Sequence, residues 1–305
     1  MTRRVVLVVN PASANGKTGQ EWPGLVAEAQ RLGVRVEERL TEGPGHATEL
    51  AREASMAGAD VVVAVGGDGT VHEVVNGLVG PGGTPFGHAA LGVIARGTGR
   101  DFIRSHAIPT KAADAIRAIA EGPIRPIDVG EVESAGDPEG SRRFANAASC
   151  GVTGAIAKRA NGMSKRFGGT PTFLVAAFQG FRGYDNTPVH VELDGRPFDV
   201  TASAIVCAIG HSLGGGIKVA HGARQDDGLL DMVLVGDVGA KDLALNLHRL
   251  YTGTLGDHPQ ITHLKGVEVA VSGGALQVEA DGELAGTTPA VFRCLRGALR
   301  LATAE

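Results

Sequence analysis

The stretch that most constrains this chain is residues 61–76, VVVAVGGDGTVHEVVN. Its first part, Val61 to Val65, is a β-branched run with the length of a buried strand. The glycine-rich segment Gly66–Thr70 follows, and then apolar residues at helical spacing. A strand, a glycine turn and a helix start together present backbone amides and the positive end of a helix to an anion. The pattern predicts a phosphate-binding turn, although an ordinary tight turn in an α/β domain has the same form.

Asp68, in the middle of this turn, indicates how the turn could bind a phosphate. Two negative groups repel each other, so its carboxylate is not expected to bind a phosphate directly. Carboxylate oxygens are ligands for hard divalent cations, and Asp68 is therefore predicted to act through a metal ion or an ordered network around one. Thr70 is placed to cap the following helix or to contact a phosphate oxygen.

The order of strand and helix recurs through residues 1–130. Strand-like runs alternate with helical patterns at residues 4–9, 19–32, 34–40, 46–56, 61–65, 91–95, 111–120 and 124–129. This alternation predicts a mostly parallel sheet whose ligands bind beyond the carboxyl ends of the strands. The turns that begin at Asn10, Gly66 and Arg96 would meet at that edge. Residues 16–18, Gly-Lys-Thr, resemble the end of a Walker A loop, but Pro11 stands where that pattern needs glycine.

The pattern changes after residue 130. Strand-like runs, several of them joined by short turns, lie at residues 144–150, 189–193, 198–209, 229–235, 266–271 and 276–280, and residues 290–301 form a last strand pair or a tail. They predict an antiparallel β domain over residues 131–290, with helical insertions at residues 153–182 and 240–250. The final segment, residues 291–305, is predicted to return to the first domain.

Composition excludes several classes of protein. A net charge of −4 argues against a dedicated nucleic-acid binder. No apolar run approaches the roughly 18 residues of a membrane span, and the first residues lack the pattern of a signal peptide. These features predict a cytoplasmic enzyme. Three widely spaced cysteines, Cys150, Cys207 and Cys294, predict buried reduced thiols rather than a metal site.

Three turns in the second half have functional potential, and they lie at residues 214–216 (Gly-Gly-Gly), 226–231 (Asp-Asp-Gly-Leu-Leu-Asp) and 281–283 (Asp-Gly-Glu). The glycine run predicts a bulge or a close backbone approach. The carboxylates of the second turn suit Mg²⁺ or Ca²⁺ together with backbone carbonyls, while a solvated aspartate turn is the simpler interpretation. Glu283 is either solvated or a general base for a substrate hydroxyl.

Together these motifs resemble the bacterial diacylglycerol kinase catalytic-domain family of lipid kinases, to which sphingosine kinases and, more distantly, NAD kinases are related. The resemblance covers essentially the whole chain and rests on the order and spacing of its motifs. They are Asn10-Pro11, residues 66–70 with Asn76, Gly97-Thr98 with Asp101-Phe102, and residues 214–216, 227–229 and 281–283. The resemblance implies an α/β nucleotide-binding domain and an antiparallel β-sandwich domain, with ATP and lipid meeting in the cleft between them.

The resemblance also implies roles for single residues. ATP would contact Asn10, Thr41, Gly66, Gly67, Asp68, Gly69, Thr70, Val71, His72 and Thr98. Catalytic Mg²⁺ would lie in an acidic network of Asp68, Asp101 and Asp128. A structural metal ion would bind Asp227 and the backbone carbonyls of Arg224 and Leu229. Glu283 would be the proton acceptor.

The implied reaction is transfer of the γ-phosphoryl group of Mg²⁺-ATP to a lipid hydroxyl. Diacylglycerol, phosphatidylglycerol, a sphingoid base and a polyprenol are all compatible acceptors. An NAD kinase-like enzyme and a non-catalytic nucleotide or lipid sensor are the alternatives. The chain departs from the family pattern at three positions. Arg100 and Ile209 stand where asparagine is common, and His221 stands where proline is common. These departures favour altered lipid specificity or neutral drift.

A lipid acceptor implies peripheral contact with the inner membrane face. A basic cluster of Lys158, Arg159, Lys165 and Arg166 would meet anionic lipid, unless it is a solvated helix face. An acyl pocket would be lined by Phe167, Phe173, Leu174, Phe178 and Phe181, unless these residues are core. No nucleic acid partner is expected, and a homodimer is left open.

Overall fold

The computed structural model describes residues 3–97, 99–162, 179–180, 184–239, 242, 245–246, 249 and 251–304. The chain forms two compact units, one of residues 1–129 with 296–305 and one of residues 130–295. Within the described ranges, no helix combines the length and the apolar character needed to cross a membrane.

The first unit is built on a parallel sheet. Its strands are β1 (Val5–Val9), β2 (Val36–Leu40), β3 (Val61–Gly66) and β4 (Ala90–Ala95). They lie in the order β4-β3-β1-β2, and each neighbouring pair is parallel. All residues of β3 are buried, which explains why this strand is a continuous apolar run instead of an alternating one. The predicted parallel sheet is confirmed.

Five helices accompany this sheet in the described part of the unit: α1 (Lys17–Arg31), α2 (His46–Met56), α3 (Asp68–Leu78), α4 (Asp101–His106) and α5 (Ala112–Glu121). Leu25 of α1 and Ile116 of α5 lie in one core with the valines of β1 and β3. α2 and α3 pack closely at Gly77, where an added Cβ would overlap the carbonyl oxygen of Thr48 and lie 2.8 Å from the Cβ of Ala51.

The second unit is antiparallel. Its strands are β5 (Ile124–Ala135), β6 (Ser141–Phe144), β7 (Ala147–Gly151), β8 (Thr187–Leu193), β9 (Arg196–Ala202), β10 (Ala204–Ala208), β11 (Leu230–Val235), β12 (Ile261–Gly266), β13 (Glu268–Ser272), β14 (Gln277–Ala280) and β15 (Glu283–Ala302). One series runs β12-β11-β10-β7-β14-β15, and a second series, β9-β8-β13, also joins β15. Side chains from both series form one core that includes Ile205, Met232, Val269 and Phe292. β5 and β15 each begin in one unit and end in the other.

Two predicted strands are interrupted for identifiable reasons. The run at 144–150 breaks after Phe144, because the next three backbone amides donate to the carboxylate of Asp281 instead of to a strand. The run at 198–209 breaks at Ser203, whose hydroxyl and amide donate to the carbonyl of Gly236 at 2.8 and 3.2 Å. β12 was not predicted, since half of its residues are exposed and its pattern is weak.

Other predictions concern the helical insertions and the cysteines. α6 (Val152–Gly162) begins the first insertion, but most of residues 153–182 and 240–250 lie outside the described residues. Cys150, Cys207 and Cys294 are buried and form no disulfide, as predicted. Burial raises the pKa of Cys150 to about 12, so this thiol is un-ionised and unreactive at neutral pH.

Gly77→Ala is expected to lower the free energy of unfolding by about 1–3 kcal/mol, because the new methyl group has to push α2 away from α3. Gly69→Ala on the same helix is the matched control, since an added Cβ there meets nothing within 4 Å. The control should change stability by no more than about 1 kcal/mol, in the stabilising direction. Urea unfolding of both variants measures the difference, and equal losses would contradict the packing argument.

Candidate functional site

Two glycine turns meet at the carboxyl edge of the parallel sheet. β3 and β4 stay paired up to Gly66 and Ala95, and the amide of Arg96 donates to the carbonyl of Gly66 at 2.7 Å. A Cβ at residue 97 would lie 2.7 Å from the Cα of Gly67, closer than real side chains approach. The turns can therefore touch only because residue 97 is a glycine.

Asn10 ties the loop after β1 to the same edge. Its side-chain amide donates to the hydroxyl of Thr70 at 3.1 Å, and its side-chain oxygen accepts the amide of Ala12 at 3.1 Å. Thr70 is buried, and a Cβ on Gly66 would overlap its hydroxyl oxygen. The amide of Thr41 donates to the last carbonyl of β1 at 2.9 Å. Four of the residues predicted to contact ATP thus gather at one edge.

The first turn of α3 supplies the backbone part of this edge. Gly67 precedes the helix, and its carbonyl accepts the amides of Thr70 and Val71 at 3.0 and 3.1 Å. The first amides of a helix have no carbonyl one turn earlier to bond, and they carry the positive end of its dipole. The side chains of Val71 and His72 are buried, so these two predicted residues face the core. Thr98 lies outside the described residues.

Two of the predicted carboxylates converge beside Gly99. A Cβ at this glycine would overlap Oδ2 of Asp68 and lie 3.6 Å from Oδ2 of Asp101. Oδ1 of Asp68 accepts the amide of Phe102 at 3.3 Å, which fixes the start of α4. Arg104 lies 3.2 Å from Oδ1 of the buried Asp101. Two carboxylates that both lie within 4 Å of the Cβ position of a glycine fit the ligand preference of a divalent cation.

Asp128 does not join this pair. It is buried, and its Oδ1 accepts the amide of Gly297 at 2.8 Å, which fastens β5 to the end of β15. In the part of the chain that the structure describes, no three His, Cys, Asp or Glu side chains come close enough to hold a metal ion. The predicted three-carboxylate network is therefore not assembled, and Asp68 with Asp101 is the part that the fold brings together.

Asp281 organises the turn between β14 and β15. Asp281 and Gly282 have φ values of 50° and 90°, as a tight hairpin turn requires. The Asp281 carboxylate accepts the amides of Ala145, Asn146 and Ala147 at 2.8, 2.9 and 3.1 Å. Its oxygens are committed to the backbone, so Asp281 positions the turn, and the exposed Glu283 is the carboxylate available for chemistry.

Glu279 also holds this turn, and the sequence analysis did not identify it. One of its carboxylate oxygens accepts the amide of Gly282 at 2.7 Å, and the other accepts the hydroxyl of Ser149. Ser149 in turn contacts the hydroxyl of Thr153 at 2.8 Å. Glu279 is buried between the apolar residues Val278 and Ala280, two residues before the turn, and this position was the available signal.

Asn146 joins two of the predicted turns and was also missed. Its amide donates to Asp281, and its carbonyl accepts the amides of Ile209 and Gly210, both at 2.8 Å. The latter segment leads to residues 214–216, three glycines with φ values of 60°, 90° and 101°. The glycine run and the Asp-Gly-Glu turn are therefore connected through one buried residue, which no local sequence pattern marks.

The predicted structural metal site, Asp227 with the carbonyls of Arg224 and Leu229, stays a prediction, and the structure shows the partners of its side chains. Oδ1 of Asp227 accepts the amide of Leu229 at 3.1 Å, and Oδ2 lies 3.2 Å from the ammonium of Lys265. The side chain of Arg224 pairs with Asp226 at 3.1 Å. Both oxygens of Asp227 thus already have partners from the chain itself.

Two family models match this chain. The diacylglycerol kinase catalytic domain matches residues 4–132. The YegS C-terminal NAD kinase beta sandwich-like domain matches residues 146–303, more than half of the chain. The chain belongs to the bacterial diacylglycerol kinase catalytic-domain family. This membership confirms the resemblance drawn from the motifs, and with it the fold of an α/β domain followed by an antiparallel β-sandwich.

Relatives of known name support this family. A diacylglycerol kinase from Staphylococcus saprophyticus is 27% identical over 297 residues, which are 97% of this chain and 94% of the relative. One from Staphylococcus aureus (strain MRSA252) is 28% identical over 293 residues, 96% of this chain and 90% of the relative. A crystal structure of a protein from Bacillus anthracis str. Sterne superposes on this chain with a TM-score of 0.78 at 23% sequence identity. The match covers 99% of this chain and 98% of the other chain, and it supports the fold.

Asp281→Ala is expected to lower the free energy of unfolding by about 3 kcal/mol or more, because three backbone amides lose a charged acceptor. The control is Asp194→Ala in the β8–β9 hairpin, an Asp-Gly turn with a similar φ of 48°. The exposed Asp194 accepts two amides, both at 2.9 Å, and should cost less. Chemical denaturation compares them, and a larger loss for Asp194→Ala would refute the assignment.

Proposed function

We propose that this chain is an ATP-dependent lipid kinase that transfers the γ-phosphoryl group to the hydroxyl of diacylglycerol or a related lipid. The observation that carries the proposal is the meeting of two glycine turns with two carboxylates, Asp68 and Asp101, in a chain with a diacylglycerol kinase-like catalytic domain. Phosphoryl transfer depends mainly on positioning and on neutralising phosphate charge, and these groups supply both.

In this proposal the first unit binds ATP. The backbone amides at the start of α3, the hydroxyl of Thr70 and the side-chain amide of Asn10 hold the phosphates. Thr41 and Thr98 flank the nucleotide. Asp68 and Asp101 would hold Mg²⁺, which neutralises charge on the β- and γ-phosphates when it is bound.

Arg100 departs from the asparagine of the family and contributes a cation at this edge. Its φ is 60°, and its Nε donates to the carbonyl of Gly97 at 3.3 Å. The exposed side chain thus folds back over the glycine turn instead of pointing away from it. A guanidinium held here favours binding of a highly charged nucleotide and leaves the acceptor lipid undetermined.

Glu283 is the proposed proton acceptor for the lipid hydroxyl. It is exposed, and it follows a turn that Asp281 and Glu279 fix through backbone amides. A base contributes to the rate when a rigid turn holds it at one position relative to the hydroxyl. The carboxylate takes the hydroxyl proton as the hydroxyl oxygen bonds to the γ-phosphorus, and the bond from that phosphorus to the β,γ-bridging oxygen breaks to release ADP.

A lipid acceptor requires the enzyme to work at a membrane surface, and we infer peripheral contact there. Lys158 and Arg159 of α6 are exposed and basic. The other basic residues of this cluster, Lys165 and Arg166, lie outside the described residues, as do the predicted acyl-pocket residues Phe167, Phe173, Leu174, Phe178 and Phe181.

NAD is the alternative acceptor with a specific reason behind it. The model that matches residues 146–303 is described as NAD kinase beta sandwich-like, so the second unit is similar to a domain named for NAD kinases. The same phosphate-binding edge would serve either acceptor. NAD therefore belongs beside lipid in every transfer assay.

Glu283→Gln should abolish most transfer to dioctanoylglycerol while leaving ATP affinity unchanged, because the amide cannot accept the proton. We expect a fall in kcat of about 100-fold or more with little change in KM for ATP. Glu192→Gln, an exposed glutamate on β8, is the control and should keep wild-type kinetics. Full activity in Glu283→Gln would remove this residue from the mechanism.

A further inference from the structure

Lys265 lies between two carboxylates at the 226–231 turn. β11 and β12 pair in a register that places Lys265 directly opposite Asp231. Its ammonium nitrogen is 3.1 Å from Oδ2 of Asp231 and 3.2 Å from Oδ2 of Asp227. One side chain thus neutralises a strand residue and a turn residue at once.

A metal ion does not fit this turn as the chain is built. The other oxygen of Asp227 accepts the amide of Leu229, so the carboxylate is engaged on both sides. A divalent cation on Asp227 would have to displace an ammonium that bridges two carboxylates or sit beside it, and two cations a few ångströms apart repel strongly. The resemblance to the kinase family implies a metal ion here, and the ammonium of Lys265 occupies the position beside Asp227 that the ion would need. At Asp101, by contrast, Arg104 contacts Oδ1, and Oδ2 is the oxygen that lies near Gly99.

We propose that the ammonium of Lys265 replaces the structural metal ion implied for this turn, so that the second unit holds its 226–231 turn without a divalent cation. The replacement is a property of this chain's own residues and does not depend on the proposed kinase activity. Its consequence is that the 226–231 turn contributes nothing to the magnesium dependence of this protein, whereas the Asp68 and Asp101 edge does.

The burial of the carboxylates explains why a cation is needed at all. The side chain of Asp231 is 10% exposed and that of Asp227 is 20% exposed. Two carboxylates this poorly solvated and this close to one ammonium would repel each other without a cation, and Lys265 offsets that cost by contacting both.

A similar triad elsewhere in the unit provides a matched control. Arg293 lies directly opposite Glu268 in the β13–β15 pair and bridges it to Glu133, with distances of 2.6 and 3.2 Å. Those two carboxylates are about half exposed, so water can solvate them when the arginine is removed. The two triads differ mainly in burial.

The test measures Tm without nucleotide, in excess EDTA and in millimolar Mg²⁺, for wild type, Lys265→Met, Asp227→Asn and Arg293→Met. We expect Lys265→Met to lower Tm in EDTA by about 4 °C or more and Arg293→Met by less. Mg²⁺ should restore part of the Lys265→Met loss, because the vacated position suits a cation. The magnesium response of wild type should equal that of Asp227→Asn, since both keep the Asp68 and Asp101 edge.

Two results would overturn the proposal. A magnesium response that is larger in wild type than in Asp227→Asn would place a metal ion on Asp227 in the natural protein. A Lys265→Met variant whose magnesium response equals that of wild type would mean that the lysine does not occupy a cation position. Both readouts are independent of catalysis, so an inactive kinase would leave this test unaffected.

Discussion

The close approach of the turns after β3 and β4 is the constraint on which the nucleotide edge depends. Gly97 lies against Gly67 with no room for a side chain, and this contact exists because the two strands remain paired to their last residues. It lets the carboxylate of Asp68 accept the amide of Phe102 in the first turn of α4. Asp68 and Asp101 are consequently both held close to Gly99 by backbone geometry.

The second unit uses one carboxylate for both fold and site. The three amides that donate to Asp281 are the same ones that break the strand between Phe144 and Ala147. The interruption is therefore part of the construction that presents Glu283. Glu279, buried below, holds the other side of the turn. A break in a strand pattern and a conspicuous acidic turn thus have a single physical cause.

Hydrophobic periodicity predicted the first unit well, because its helices and strands are encoded by residues close together in the sequence. α2 was expected at the residues where it occurs, and the apolar run of β3 indicated a strand buried on both faces. The unpredicted features depend on distant partners. Asp281 meets amides up to 136 residues away, Asp128 meets Gly297 across 169, and Lys265 reaches Asp227 from a strand with a weak pattern. Neither the charge of a residue nor the spacing of residues along the chain predicts which of these distant residues will pair.

The measurement that tests the central claim most directly is transfer of label from radiolabelled ATP, with Mg²⁺, to a total lipid extract and separately to NAD. The lipid kinase account predicts label in the organic phase, on a product with the mobility of a phosphorylated lipid. Label on NAD would mean that the phosphate-binding edge serves a soluble acceptor. ATP binding without label in either fraction would contradict catalysis by this chain and favour a nucleotide sensor.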